Sequence, residues 1–135
     1  QGQMTSGATT IAMKAAAAAL TSGQECVSEM NTAFARRKDM VVNLIRTIRG
    51  LKVYEPEGAF YVFPVVTPYL GKTVNGKKIS TATDLCLYLL DEAHIATVPG
   101  DAFGDPDCIR ISFANSDENL REAMRRMKQA LERME

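Results

Sequence analysis

The run Cys108-Ile109-Arg110-Ile111-Ser112-Phe113-Ala114 alternates its side chains at period two. That spacing predicts a β-strand with Ile109, Ile111 and Phe113 on one face and Cys108, Arg110 and Ser112 on the other. A strand with one apolar face needs a layer packed against it. The layer follows at once. Asn115 or Ser116 can cap an amphipathic helix running to about Arg133, with Leu120, Met124, Met127 and Leu131 on its buried side. Upstream lies a Gly- and Pro-rich loop, residues 99–107 (PGDAFGDPD), preceded by a short strand over residues 95–98.

Further from this run the same two periods alternate. Residues 81–93 read as a helix with a capping-box start at Thr81 and Asp84 and with Leu85, Tyr88 and Leu89 on one face. Asn75-Gly76 between residues 72–74 and 77–79 predicts a small hairpin inside a loop over residues 67–80. Residues 59–66 (AFYVFPVV) are aromatic and β-branched and read as a strand, with Pro64 near its exit. Residues 51–54 read as another short strand, and the chain turns at residues 55–58.

Residues 24–49 form the longest periodic segment. Val27, Phe34, Val41 and Ile48 recur every seven residues, Met30 and Leu44 fill intermediate positions, and Gly50 stands where a helix-ending glycine belongs. Residues 8–20 are alanine-rich helix material with Thr9 or Thr10 as cap, and residues 1–7 are an irregular lead-in. The expectation is an α/β fold: a small mixed sheet of three to four short strands covered by helices, with one long helix in the N-terminal half.

A chain of 135 residues, 46% hydrophobic and 24% charged, can bury a core without covalent staples. Sixteen basic residues balance sixteen acidic ones, which argues against a phosphate-backbone partner. The cluster Arg36-Arg37-Lys38 runs straight into Asp39 and reads as a solvated helix face. Cys26, Cys86 and Cys108 are widely spaced, without a Cys/His set that could hold a metal. No apolar run reaches membrane-spanning length. Neither nucleic acid nor membrane is expected as a partner, and a reducing, cytoplasmic setting fits. The start at Gln1 without an initiator Met reads as a processed or excised segment.

Few residues suggest autonomous chemistry. His94 closes a helix, where a C-terminal cation or plain exposure explains it. Glu55 and Glu57 flank a proline in a turn, where solvation explains both. Gly100 and Gly104 lack dinucleotide-loop spacing. Residues 58–63 are weakly similar to an RNA-stacking strand, but Glu57 has the wrong sign for one. Arg110 is the exception, an arginine in an otherwise apolar strand. It reads either as part of a solvated face or ion pair, or as a planar fork aimed at a ligand carboxylate.

Residues 56–64 (PEGAFYVFP), 98–104 (VPGDAFG) and 109–114 (IRISFA) come in this order. With the opening Gln3-Met4-Thr5-Ser6 and the helix start at residues 116–120, they resemble the C-terminal part of class I aminotransferases. These are the pyridoxal-phosphate enzymes of fold type I, and bacterial aspartate aminotransferases are the members most resembled. The resemblance covers essentially the whole chain.

It implies that Arg110 grips the substrate α-carboxylate, with Phe60 beside it and with Gly58 and Gly100 in tight turns where a side chain would crowd the backbone. It implies that Thr5 and Ser6 lie near the partner subunit's cofactor phosphate. The family's Schiff-base lysine, its pyridine-nitrogen aspartate and its cofactor-oxygen tyrosine and asparagine correspond to positions upstream of Gln1. Lys14 and the loop residues Lys72, Lys77 and Lys78 match no such context, so no catalytic residue is expected here.

The implied organisation is a small domain over residues 1–135, in which residues 1–22 pack on a large domain. The implied partners are that domain, amino-acid and 2-oxo-acid substrates, and a second copy in a homodimer or swapped oligomer through residues 1–49. Pyridoxal phosphate belongs to the full-length parent, and the isolated chain is expected to bind none and to be inactive. The alternative is a non-enzymatic α/β module that binds a carboxylate or a protein.

Overall fold

The computed structural model describes residue 4 and residues 6–134. They form two compact units, residues 1–32 and 33–135. In the first, α1 (Thr10–Thr21) starts where Thr9 accepts the Ala12 N–H at 3.3 Å. It ends where the Gln24 amide donates to the Ala19 and Ser22 carbonyls. α1 buries none of its residues, and Ile11 and Leu20 are each more than four-fifths exposed. α2 (Glu25–Arg46) begins in this unit and continues into the second.

α2 stops three residues before the expected end. The chain then turns through residues 47–50, where the Thr47 hydroxyl donates to the Leu44 carbonyl and Gly50 takes a φ of 92°. The Tyr69 hydroxyl donates to the Arg49 carbonyl beside that turn. The buried positions are Val41, Val42, Ile45 and Ile48, with Phe34 and Leu44 partly buried, while Val27 and Met30 are exposed. A seven-residue count drifts about 20° per repeat on a straight helix. The stripe is also wider than one position per turn, which brings in Val42 and Ile45.

Three short strands make the main sheet: β1 (Tyr61–Val62), β4 (Val98–Pro99) and β5 (Ile109–Ser112), in the order β1-β5-β4. β1 pairs with β5 through Tyr61–Ser112 and Val62–Ile111, and β4 pairs with β5 through Val98–Arg110 and Pro99–Ile109. A bridge at Val65–Cys108 continues the β1–β5 register, and one at Lys52–Val65 adds the segment after α2 to the other edge of Val65. Every described pairing is antiparallel where a mixed sheet was expected. Pro64 has no N–H to give the ladder, so the run over residues 59–66 yields a two-residue strand and a bridge rather than one long strand.

After β1 comes the hairpin of β2 (Thr73–Val74) and β3 (Lys77–Lys78), closed by Asn75 and Gly76 at φ 51° and 74°. Positive φ at both central residues is the turn that matches strand twist. α3 (Ala82–Ala93) carries the expected capping box: Asp84 accepts the Ser80 and Thr81 N–H groups, and Thr81 accepts that of Asp84. α4 (Asp117–Glu132) is capped by Ser116, and its first-turn Asp117 is paired with Arg36 and Arg37 of α2.

The apolar face of β5 lies against these helices. Ile109, Ile111 and Phe113 are buried in one cluster with Val41, Ile45, Leu85, Leu89, Met124 and Met127. The Tyr88 hydroxyl reaches across from α3 to the Ala130 carbonyl of α4.

Phe113 is 1% exposed and closes this core. Phe113→Ala is expected to destabilise the fold by about 3–5 kcal/mol in chemical denaturation. Four carboxyls titrate below their ordinary range. Arg125 and Arg126 hold Glu122 down to about 2. The capping hydrogen bonds lower Asp84, Arg37 lowers Asp117, and Lys38 lowers Glu55. Their ordinary values are 3.8 and 4.5, so this stabilisation is complete above that range and is lost as pH falls below it, for Glu122 through about 2. Urea midpoints measured across that window should decline, and Asp84→Asn should flatten the decline.

Candidate functional site

β5 is the central strand, hydrogen-bonded along both edges. Its second face carries Cys108, Arg110 and Ser112. The register with β1 places Tyr61, Phe63 and Val65 on that same face. On the other side β4 sets Val98 directly beside Arg110. The Gly100 N–H then donates to the Cys108 carbonyl, and a 3₁₀ turn (Gly100–Phe103) carries Phe103 over the sheet. The Arg110 guanidinium carbon lies 4.4 Å from the Phe103 ring centre and 5.3 Å from that of Tyr61.

Arg37 and Arg110 are the described arginines that are half-buried rather than exposed. Arg37 is paired with Asp117 at 3.0 Å. Arg110, among the described residues, has aromatic neighbours and no carboxylate partner. A partly desolvated cation without a counterion, with its donor edges unused, is arranged to receive an anion.

Phe60 lies one register step before Tyr61, opposite Phe113, and touches this face through its ring contact with Tyr61. Its ring meets Tyr61 edge-on at 5.9 Å and is 52% exposed, so it does not belong to the core. Its carbonyl accepts the Phe113 N–H at 2.8 Å, which ties it to the end of β5.

The expectation that a side chain would crowd both glycine turns holds at one of them. A Cβ on Gly100 would collide with the Asp105 carbonyl oxygen and stand 2.6 Å from that of Cys108. A Cβ on Gly58 would meet nothing within 4 Å, and the positive φ of that turn, 62°, falls on Ala59 instead. Ser6 is exposed with a φ of 48°, and Thr5 lies outside the described residues.

The other singled-out residues have local explanations. His94 sits at φ 54° as the left-handed cap of α3. Glu55 accepts from Lys38 at 2.9 Å and is an ion-pair partner rather than half of an acid/base pair. Cys108 shares the face of Arg110, yet the 3₁₀ turn buries it. Burial and Asp105, whose carboxylate accepts its S–H, push the thiol up to about 12. Burial also raises Cys86. Of the clefts of about 480 and 500 Å³, the first is lined by Ser112 at the end of β5 together with His94, Asn119 and Arg126, and the second by Tyr69 and Lys72. Arg110 lines neither of these two clefts.

Among the described residues no group of three His, Cys, Asp or Glu could hold a metal, and no helix is long and apolar enough to cross a membrane. A pyridoxal-phosphate site needs a lysine amine desolvated enough to be neutral. No described lysine is buried, so these residues do not by themselves fit that group.

A model of the family "Aminotransferase class I and II" matches residues 1–127. The chain belongs to this family. It is 48% identical to a bifunctional aspartate aminotransferase and glutamate/aspartate-prephenate aminotransferase of Petunia hybrida, over 97% of this chain and 28% of that protein. It is 46% identical to an aspartate aminotransferase of Rhizobium meliloti, over 99% of this chain and 33% of that one. The solved aspartate aminotransferase from Rhizobium meliloti superposes with a TM-score of 0.84 at 45% identity, covering 90% of this chain and 30% of the other. That from Thermotoga maritima superposes at 0.79 and 37%, covering 97% and 31%. The chain thus spans about a third of the length of the curated relatives it matches. The α/β fold and the small sheet are those of aminotransferase structures, and the family depends on pyridoxal phosphate.

Thiol burial gives a direct check of the site's geometry. Cys26 is exposed while Cys86 and Cys108 are buried. Iodoacetamide under native conditions should alkylate Cys26 rapidly and the other two only on unfolding, as read by peptide mass spectrometry. Fast labelling of Cys108 would contradict the packing of the Gly100 turn over β5.

Proposed function

We propose that this chain is the C-terminal small-domain portion of an aspartate-aminotransferase-like enzyme, residues 1–135, and that Arg110 receives the α-carboxylate of its amino-acid or 2-oxo-acid substrate. The observation that carries this reading is Arg110 itself: half-buried, central in the sheet, rimmed by aromatic rings and without an acidic partner among the described residues. Guanidinium and carboxylate match as two parallel hydrogen bonds. Phe60 supplies an apolar wall beside the fork, and Gly58 lets the chain pass close to the bound acid.

The parent enzyme transfers an amino group from an amino acid to a 2-oxo acid. Its cofactor chemistry is assigned to residues outside this chain, which by itself is inactive. Thr5 and Ser6 are assigned to the neighbourhood of the partner subunit's cofactor phosphate. In the same reading residues 1–22 pack on the large domain, and residues 1–49 support a homodimer or a swapped oligomer. The unburied apolar side chains of α1, Ile11, Met13 and Leu20, support an association of this kind. A cytoplasmic setting accords with three free cysteines.

In the full-length enzyme, Arg110→Ala is expected to lower kcat/KM for L-aspartate on the order of a hundredfold or more, since truncation removes charge-assisted hydrogen bonds to a carboxylate. Arg110→Lys should recover part of that loss. A change below about threefold for Arg110→Ala would refute the assignment, because even one such bond contributes more. Pyridoxal phosphate titrated into the 135-residue chain, followed by borohydride, should label no single lysine. Saturable labelling of one lysine would overturn the division of labour.

A further inference from the structure

Arg110 is held in an unusual way for a half-buried arginine. A carboxylate partner would fix the guanidinium by its edge, where its five N–H donors lie, and would then compete with any incoming anion. The rings of Phe103 and Tyr61 lie against the cation instead, with centroids 4.4 and 5.3 Å from the guanidinium carbon. The quadrupole of an aromatic face attracts a cation without using its hydrogen-bond donors. The plane of the fork can thus be set while the donors stay open.

Phe103 is suited to this by its own support. Its ring meets Phe63 nearly perpendicular at 6.2 Å. Its backbone belongs to the 3₁₀ turn that Gly104 closes at φ 86°, with the Gly104 N–H returned to the Asp101 and Gly100 carbonyls. Gly100 ties that turn to the strand bearing Arg110. Its N–H donates to the Cys108 carbonyl at 2.9 Å, its carbonyl accepts the Asp105 N–H at 3.2 Å, and its Cα leaves no room for a side chain. Phe103 is nonetheless 48% exposed and lies outside the core cluster, so core packing does not account for a large aromatic at this position.

We infer that Phe103 is the positioning residue of the carboxylate fork: it sets the plane of the Arg110 guanidinium and holds its donor edge free for the ligand. This rests on the reading of Arg110 as the carboxylate receptor. Tyr61, at the greater distance, makes the smaller contribution.

The test is nuclear magnetic resonance of the arginine Nε–Hε groups in the 135-residue chain, with the Arg110 signal assigned by its loss in Arg110→Lys. In the unsubstituted protein that signal should show cross-relaxation to the Phe103 ring and a rigid Nε. Phe103→Leu should release the Nε into fast motion, Phe103→Tyr should keep it rigid, and Tyr61→Leu should have the lesser effect. Absence of ring contact in the unsubstituted protein overturns the inference without any variant. An Nε in Phe103→Leu as rigid as in the parent, with the rest of the spectrum unchanged, also overturns it.

Sodium acetate titration separates the two claims. Acetate should shift the Arg110 signal saturably, and Phe103→Leu should weaken that binding about threefold, as expected for an exposed cation–aromatic contact. A rigid, ring-contacting Arg110 that acetate does not move would refute the carboxylate reading while leaving the positioning role intact. Acetate binding unaltered by Phe103→Leu would refute the positioning role and leave the receptor.

Discussion

Everything in residues 33–135 is arranged around a central strand whose two faces have opposite requirements. β5 gives its hydrogen bonds to β1 on one edge and β4 on the other. One face must be sealed from water by helices, and Ile109, Ile111 and Phe113 meet α2, α3 and α4 there. The opposite face holds a guanidinium that must remain charged and partly wet. An interior cation would need a paired anion or would cost several kcal/mol in desolvation. Half-burial beneath aromatic rings avoids that cost and keeps the donors available.

The turn at residues 100–104 shows how this face is kept in order. Gly100 is locked against β5 by its own hydrogen bonds and by the absence of space for a Cβ. The same turn that carries Phe103 to the guanidinium also covers Cys108 and presses its thiol onto Asp105. One backbone approach therefore makes Cys108 inert and Arg110 oriented. Neither effect follows from the strand alone, since alternation puts both side chains on the open face.

Several residues show where sequence reasoning reached its limit. Arg110 was visible because period two assigns a face without knowledge of neighbours. Tyr61 and Phe63 lie on that face only through a register across some fifty residues, which no local pattern fixes. Phe103 sits in a loop whose Gly and Pro content announces a turn but not its direction. At the Gly58 turn the glycine was conspicuous, yet the left-handed conformation belongs to Ala59. Along α2 and the turn that follows it, the seven-residue count finds Val41 and Ile48 and misses Val42 and Ile45, because a buried face is broader than the stripe that defines it.

The sequence by itself determined what depends on neighbours along the chain: the capping box of α3, the Asn75-Gly76 turn, the Ser116 cap and the two faces of β5. These are short-range effects of hydrogen-bond geometry and side-chain period, settled within a few residues. The tertiary structure decided that the sheet pairs antiparallel, that Pro64 interrupts β1, and that, among the described residues, two aromatic rings rather than a carboxylate stand against Arg110. Those outcomes depend on which distant segments meet. Burial of the common core selects that pairing, and no stretch of a dozen residues contains it.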